Sequence, residues 1–172
     1  DLDAGLEDAL GRGSGEAGAD APFGGDASAA NGSSIAVLLE YPAAAPKVRL
    51  LLVGDAWPGV LETSITTLLG DPGKRLAVDA FKLPHHGSVA NLSASLLEHL
   101  RCSHYLVSTS GALFRHPHKR ALDLILAHHA GPGRPTLHFN YLTRCTAPWS
   151  EQADQKNRGY RALHPKGTSL SF

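Results

Sequence analysis

The alternation of short apolar runs with helical patterns is the feature that most constrains this fold. The apolar runs are rich in Val, Leu, Ile and aromatic residues, and Gly and Pro separate them from segments in which Leu and Ile recur with helical spacing. The predicted strands are 33–41, 48–55, 76–83, 104–109 and 136–142. Strands that alternate with helices on this scale predict a layered α/β fold.

The predicted helices begin and end at residues with known terminal preferences. Pro58 opens one helix, and Gly70 lies just past its end. Asn91 or Ser93 caps a second helix, and a third begins at His116. One helix therefore follows each of the second, third and fourth predicted strands.

The first two apolar runs predict a hairpin, because the loop PAAAP joins 33–41 to 48–55. Both runs are continuously apolar, which predicts strands buried on both faces. The tail from Thr143 is polar and irregular up to a short run near Leu170, and we expect a lid over the site or an ordered extension. Trp149 is expected to be a packing anchor or a lid contact.

The formal net charge of zero hides an acidic start and a basic body. Residues 1–30 are mainly Gly, Ala, Ser and acids with a net charge of −6, which predicts a flexible acidic linker. Residues 31–172 have a net charge of +6 and contain all ten histidines. This charge suits a polyanionic substrate such as nucleic acid, and it is also ordinary for a globular surface.

The linker suggests proteolytic processing. Arg12 is its one basic residue, and an exposed Arg-Gly bond among small residues is easily cut by a trypsin-like protease; the alternative is a surface arginine without a role. The sequence begins at Asp1 and contains no Met. We therefore expect a processed product or a piece of a longer polypeptide.

The sequence also favours a cytoplasmic protein with no membrane segment. No apolar run approaches the roughly eighteen residues of a membrane-spanning helix, and the acidic start does not resemble a signal peptide. Cys102 and Cys145 lack the spacing of a zinc site and need not form a disulfide, which is compatible with a reducing compartment.

Three polar clusters lie where a predicted strand ends or a helix begins. Asp55 ends the second strand, and its carboxylate either binds a cation or caps the next helix. His85 and His86 follow the third strand, where both imidazoles can face one pocket. His116 and His118 follow the fourth. Loops at one end of the strands are the usual place for functional residues in open α/β sheets.

These clusters resemble a known family. The segments LLLVGDA, KLPHHGS and FRHPH, in this order and spacing, are similar to the C-terminal half of the metallo-β-lactamase fold, and most of all to the nuclease domain of bacterial competence (DNA-uptake) channel proteins. The resemblance covers about residues 31–130 and leaves out the tail from 143. It implies an αββα sandwich with the site at one edge of the sheets, so that 31–172 is the C-terminal half of the domain.

The resemblance also implies roles for individual residues. Asp55 matches an aspartate that bridges two divalent metal ions, zinc or manganese. One of the paired histidines matches a metal ligand, and we assign His86 to that role and His85 to the substrate phosphate, although the sequence does not fix this order. His116 matches the histidine that contacts the phosphate or the leaving group.

Two further residues complete the expected substrate-binding set. Ser88 belongs to the HHGS motif. His118 has no firm counterpart in the family, so it either joins the site or lies on the helix surface.

The chain departs from the family in one large respect: the HxHxDH motif, which belongs to the N-terminal half of the fold, is absent. Asp55 and one histidine are too few to hold two metals, because a catalytic zinc uses about three protein ligands. We therefore expect the N-terminal half to be a separate chain or a cleaved segment that docks across the sheet interface.

The predicted function is that of a metal-dependent phosphodiesterase. Together with its partner half, the chain would cleave DNA or RNA by attack of a two-metal-activated hydroxide on phosphorus. One alternative is a small-molecule hydrolase of the same fold, acting on phosphodiesters, thioesters or lactams. Another is a non-catalytic or regulatory module, such as an immunity effector released by a companion protease that cuts at Arg12.

Overall fold

The first two apolar runs form the predicted hairpin. The computed structural model describes residues 27–45 and 48–164, and all structural statements refer to these residues. Strands β1 (Val37–Tyr41) and β2 (Val48–Leu52) pair antiparallel over five residues each. The hairpin is therefore confirmed. Arg12 and most of the acidic linker lie outside the described residues.

The later strands extend this hairpin into a six-stranded, mostly parallel sheet. After β2 they are, in order across the sheet, β4 (Ala80–Lys82), β6 (His104–Val107), β7 (Thr136–Phe139) and β8 (Arg161–Leu163). A second, two-stranded sheet joins β3 (Leu76–Ala77) to β5 (Leu100–Arg101). The predicted α/β class is confirmed.

The single strand predicted for 76–83 is wrong, because the chain changes its pairing partner in the middle. Val78 donates a backbone hydrogen bond to Arg101 of β5, whereas Asp79 donates to Arg49 of β2. The Asp79 carboxylate also accepts the Arg49 N–H at 2.7 Å. This exchange of partners divides the run into β3 and β4.

The helices largely follow their predicted boundaries. They are α1 (Ala29–Gly32), α2 (Pro58–Leu69), α3 (Ala94–Glu98), α4 (Lys119–His128) and α5 (Gln152–Arg158). α2 ends at Gly70, whose φ of 63° is left-handed, and Ser93 caps α3 by accepting from Leu96 N–H at 2.9 Å. α4 begins later than predicted, because its N-cap residue His118 has extended backbone.

The core lies between the helices and one face of the sheet. Leu51, Phe81, Tyr105 and Leu137 are aligned across β2, β4, β6 and β7, and each is at most 5% exposed. They share one buried cluster with apolar residues of α2, α3 and α4. The chain's own helices therefore cover this face.

The other face of β1 and β2 is exposed, so the prediction that these strands are buried on both faces is wrong. β1 is the edge strand of the sheet, and α2, α3 and α4 pack on the opposite face. Its alternate side chains and those of β2 project into solvent, with exposed fractions from 37% to 83%. The exposed residues are Ile35, Val37, Leu39, Tyr41, Val48 and Leu52. We call this set the β1–β2 apolar face.

The tail is more regular than the sequence predicts, since α5 and β8 both lie beyond Thr143. Trp149 is 5% exposed, and the Arg158 guanidinium lies 5.0 Å from its ring centre, which confirms Trp149 as a packing anchor. The tail adds β8 to the sheet next to β7.

The finer expectations on architecture stay predictions. The described residues contain one six-stranded sheet, with α2, α3 and α4 packed on one face, and the small sheet of β3 and β5. The αββα sandwich therefore stays an expectation. No helix in the described part of the chain is long and apolar enough to span a membrane.

Candidate functional site at the ends of the parallel strands

The loop after β2 carries the first candidate residue, Asp55. Gly54, with a φ of 54°, turns the chain sharply, and Asp55 is half-buried beyond it. The Asp55 N–H donates to Ser34 Oγ at 3.3 Å. The next helix has Trp57 as its N-cap residue and no side-chain capping bond, so the alternative role of Asp55 as a helix cap is not observed.

The turn after β4 carries His85 and His86 in an unusual backbone conformation. His85 (φ 42°, ψ 48°), His86 (φ 56°, ψ 22°) and Gly87 (φ 87°) are three consecutive left-handed residues within the 3-10 turn Pro84–Gly87. Each non-glycine residue held there costs on the order of 1 kcal/mol or more, and such strain clusters at functional sites. A side chain on Gly87 would also meet Pro117 at 2.8 Å.

A buried amide connects the Asp55 loop to the histidine turn. Asn91, with 0% exposure, donates from Nδ2 to the Asp55 carbonyl at 2.9 Å, and its Oδ1 lies 3.0 Å from His85 Nδ1. The His85 N–H donates to the Gly54 carbonyl at 3.1 Å. Asn31, from α1, approaches the same His85 Nδ1 at 3.4 Å. His85 is thus fixed from several sides.

His86 is exposed and is anchored by one ring nitrogen. Its Nδ1 lies within hydrogen-bond distance of the Ser108 carbonyl, in the loop after β6. A carbonyl only accepts, so Nδ1 carries a proton, and in the neutral ring the lone pair is on Nε2. Metal-binding histidines commonly donate one ring N–H to a carbonyl in this way.

His116 is the most buried titratable group of the cluster, at 6% exposure. Its ring lies edge-on to His85, with ring centres 5.3 Å apart, and to His118 at 4.6 Å. Burial, and after it the positive charges of the neighbouring His118, His85 and His86, together lower the pKa of His116 to about 3. His116 is therefore a neutral imidazole at physiological pH.

His118 and Ser88 support the histidine turn from behind. His118 Nδ1 accepts the Val89 N–H at 3.1 Å, and burial, followed by the charge of His85, lowers its pKa. Ser88 is 5% exposed, and its Oγ accepts the Ala90 N–H at 3.3 Å. Neither residue is among those that line the cavity described next.

The other predicted residues surround one open cavity of about 330 Å³. Its polar lining includes Asn31, Asp55, His85, His86 and His116. The loop after β6 supplies the remaining wall, in which Leu113 is 76% and Phe114 is 40% exposed. The structure thus brings together Asp55 and His116, which are 61 positions apart in the sequence.

Lys82 adds a positive charge close to this cavity. Its Nζ donates to the Leu83 carbonyl at 2.8 Å. Burial lowers the pKa of Lys82, and the negative charge of Asp55 opposes that shift. Lys82 and Asp55 therefore interact electrostatically.

Three residues of this site were not identified from sequence: Asn31, Lys82 and Asn91. Asn91 was considered only as a helix cap, yet it is a fully buried polar residue just after the HHGS motif. A polar residue in a mostly apolar segment is the signal that could have drawn attention to it. Its partners are distant in sequence, so its role depends on the tertiary fold.

The donor types at the cavity suit a transition metal, but their number is small. A carboxylate and imidazoles are ligands that zinc and manganese accept. In the described part of the chain, no group of three or more His, Cys, Asp and Glu side chains is placed to hold a metal ion. A complete metal centre at this cavity would need ligands from outside those residues.

Comparison with known proteins adds no assignment. The chain matches no family model, no curated protein and no solved structure. The metallo-β-lactamase resemblance consequently rests on its motif residues, and the function must be argued from the cavity and its surroundings.

Proposed function

We propose that this chain is the C-terminal half of a metal-dependent phosphodiesterase of the αββα metallo-β-lactamase type, acting on DNA or RNA. The observation that carries the proposal is the convergence of Asp55, His85, His86 and His116 on one cavity. These residues come from three separate motifs, and their backbone conformations and hydrogen bonds hold them at the ends of parallel strands. The left-handed backbone of His85 and His86 supports this proposal, because such strained conformations cluster at functional sites.

The β1–β2 apolar face supports the second part of the proposal, a partner half. Contiguous exposed apolar side chains on a folded domain mark contacts with another protein. Sheets pack face to face through such side chains at a spacing of about 10 Å. In this proposal the N-terminal half supplies the second sheet and the HxHxDH ligands, either as a separate chain or as a cleaved segment.

The residues of this chain have distinct roles in the proposed assembly. Asp55 and His86 Nε2 would hold the metal ions, with further ligands from the partner half. When bound, two zinc or manganese ions activate water and offset phosphate charge. His116 would hydrogen-bond a phosphate oxygen as a neutral imidazole, and Lys82 would balance the charge of Asp55.

The test is cleavage by the chain together with whatever polypeptide co-purifies with it from its source without chelator. Single-stranded DNA, duplex DNA, RNA and bis(p-nitrophenyl) phosphate are offered with Zn²⁺ or Mn²⁺. We expect Asp55→Asn to lower the rate of nucleic-acid cleavage by more than about 100-fold, because losing a metal ligand costs more than losing a supporting residue. Asp71→Asn, in a turn away from the cavity, is the matched control.

The outcomes separate the alternatives. Equal cleavage by wild type and Asp55→Asn would contradict the proposal. Cleavage of the small phosphodiester alone would favour a small-molecule hydrolase. Nucleic-acid binding without cleavage or metal would favour a non-catalytic module. Processing at Arg12 by a companion protease, and a role in immunity, stay separate predictions.

A further inference from the structure

The Asn91 side chain bonds both the loop of Asp55 and the turn of His85, and its geometry indicates the position of a proton. The Nδ2 amide donates to the Asp55 carbonyl at 2.9 Å, while Oδ1 lies 3.0 Å from His85 Nδ1. Asn91 is completely buried, so its amide group is enclosed by protein.

The orientation of this amide follows from its first partner. A main-chain carbonyl has no hydrogen to give, so the amide nitrogen must face Asp55. The amide oxygen then faces His85, and an amide oxygen also only accepts. His85 Nδ1 must therefore carry the hydrogen of this bond, and in the neutral ring the lone pair lies on Nε2.

We propose that Asn91 is a positioning residue that holds His85 in the Nδ1-protonated tautomer. Neutral His85 then presents a lone pair at Nε2, so it accepts a cation or a proton and cannot donate a hydrogen bond from Nε2 to a phosphate. This changes the role expected from the sequence, in which His85 contacts phosphate. The tautomer assignment rests on the two Asn91 hydrogen bonds, and its use in metal or proton binding rests on the proposed function.

Two neighbours provide internal comparisons. Asn31 Nδ2 lies 3.4 Å from the same His85 Nδ1, and because an amide nitrogen only donates, this contact alone would favour a lone pair at Nδ1. The Asn91 Oδ1 contact is shorter, at 3.0 Å, so we assign the orienting role to Asn91. His118 Nδ1 accepts a backbone N–H, from Val89, and its Nε2 must therefore carry the hydrogen. Two histidines in one cluster are thus expected in opposite tautomers, which a single spectrum can distinguish.

The experiment is a long-range ¹H–¹⁵N correlation spectrum of the full chain with ¹⁵N-labelled histidine, at a pH where the imidazoles are neutral. Signals of His85 and His118 are assigned by their loss in His85→Gln and His118→Gln. We expect the Nδ1–H pattern for His85 and the Nε2–H pattern for His118. An Nε2–H pattern for His85 in the wild-type chain would overturn the proposal.

Variants at Asn91 test the cause. Asn91→Ala removes the acceptor and should shift His85 toward the Nε2–H form, which free imidazole favours, while Asn31→Ala should leave it unchanged. Asn91→Asp retains an acceptor and should retain the Nδ1–H form. A His85 pattern unaffected by Asn91→Ala, with the His118 pattern intact as evidence of folding, would overturn the proposal. If Asn91→Ala does not fold, the test rests on the wild-type and Asn91→Asp spectra, in which His85 should show the Nδ1–H pattern.

This readout requires neither metal, partner nor nucleic acid, so its failure is distinct from failure of the proposed function. If the assembly does cleave nucleic acid, Asn91→Ala should lower kcat about 10–100-fold, as expected for a residue that orients a ligand. Asn91→Asp should recover part of that loss, whereas a purely structural role would give no such rescue. No recovery, with both variants folded, would overturn the positioning role.

Discussion

The two faces of the sheet differ sharply, although the same strands form both. On the helix side, Leu51, Phe81 and Tyr105 are at most 5% exposed. On the other side of the hairpin, Leu52 is 37% and Tyr41 is 70% exposed. On the β1–β2 hairpin both faces are apolar, so the difference there lies in what covers them. The chain supplies the cover for one face, and we propose that a partner supplies it for the other.

The largest expected effect comes from neighbouring leucines of β2 that point to opposite faces. Leu51→Ala leaves a cavity in the core and should lower the free energy of unfolding by about 2–5 kcal/mol. Leu52→Ala removes a side chain that is already partly in solvent, and should cost about 1 kcal/mol or less in the isolated chain. Urea denaturation of both variants measures the difference; equal losses would contradict the assignment of the two faces.

A smaller effect is expected from acid, through a histidine pair on β6 and β7. His104 Nδ1 lies 2.9 Å from His138 Nε2. Burial, followed by the charges of His104 and Arg161, lowers the pKa of His138 to about 4. Burial also lowers the pKa of His104. In the unfolded chain both values return to about 6.5.

The sign follows from proton binding. Between pH 6.5 and about 4 the unfolded chain binds more protons than the folded chain, so stability falls as pH decreases through this window and is fully present above it. Between pH 7.5 and pH 5 we expect this pair to contribute a loss of about 1–2 kcal/mol, measured in urea denaturation as the difference in pH dependence between the wild type and His138→Gln. His116, whose pKa is also lowered, adds to the total loss of the wild type. Constant or rising stability on acidification would contradict this account.

The smallest expected effect on the isolated chain comes from a charge on the β1–β2 apolar face. Leu39 is 43% exposed, so Leu39→Lys should change the free energy of unfolding by no more than about 0.5 kcal/mol. The lysine charge should prevent a second sheet from packing on the β1–β2 apolar face, because the charge would then be buried without a partner. The check is co-purification of the partner half with wild type and variant; undiminished recovery would place the partner elsewhere.

The sequence was sufficient where local signals agreed with the fold. Pro58, Gly70 and Ser93 lie at helix ends as predicted, because capping and turn preferences are properties of a few adjacent residues. Asp55 and His86 reach one cavity as expected of residues that follow parallel strands.

The misses share a different cause: each depended on contacts between distant segments. Asp79 breaks a predicted strand because it pairs with β2, and the apolar run of β1 gives no sign that it is the edge strand. β8 forms from a polar tail because β7 offers it a pairing edge. Asn91 became interpretable once Asp55 and His85 were known to lie on either side of its amide.

The measurement that tests the central claim most directly is native mass spectrometry of this chain purified from its source without chelator. Our account predicts a complex of the chain with a second polypeptide and two transition-metal ions, both metals being lost in Asp55→Asn. A chain that is recovered alone and free of metal, while remaining folded, would contradict the claim that it is half of a two-metal enzyme.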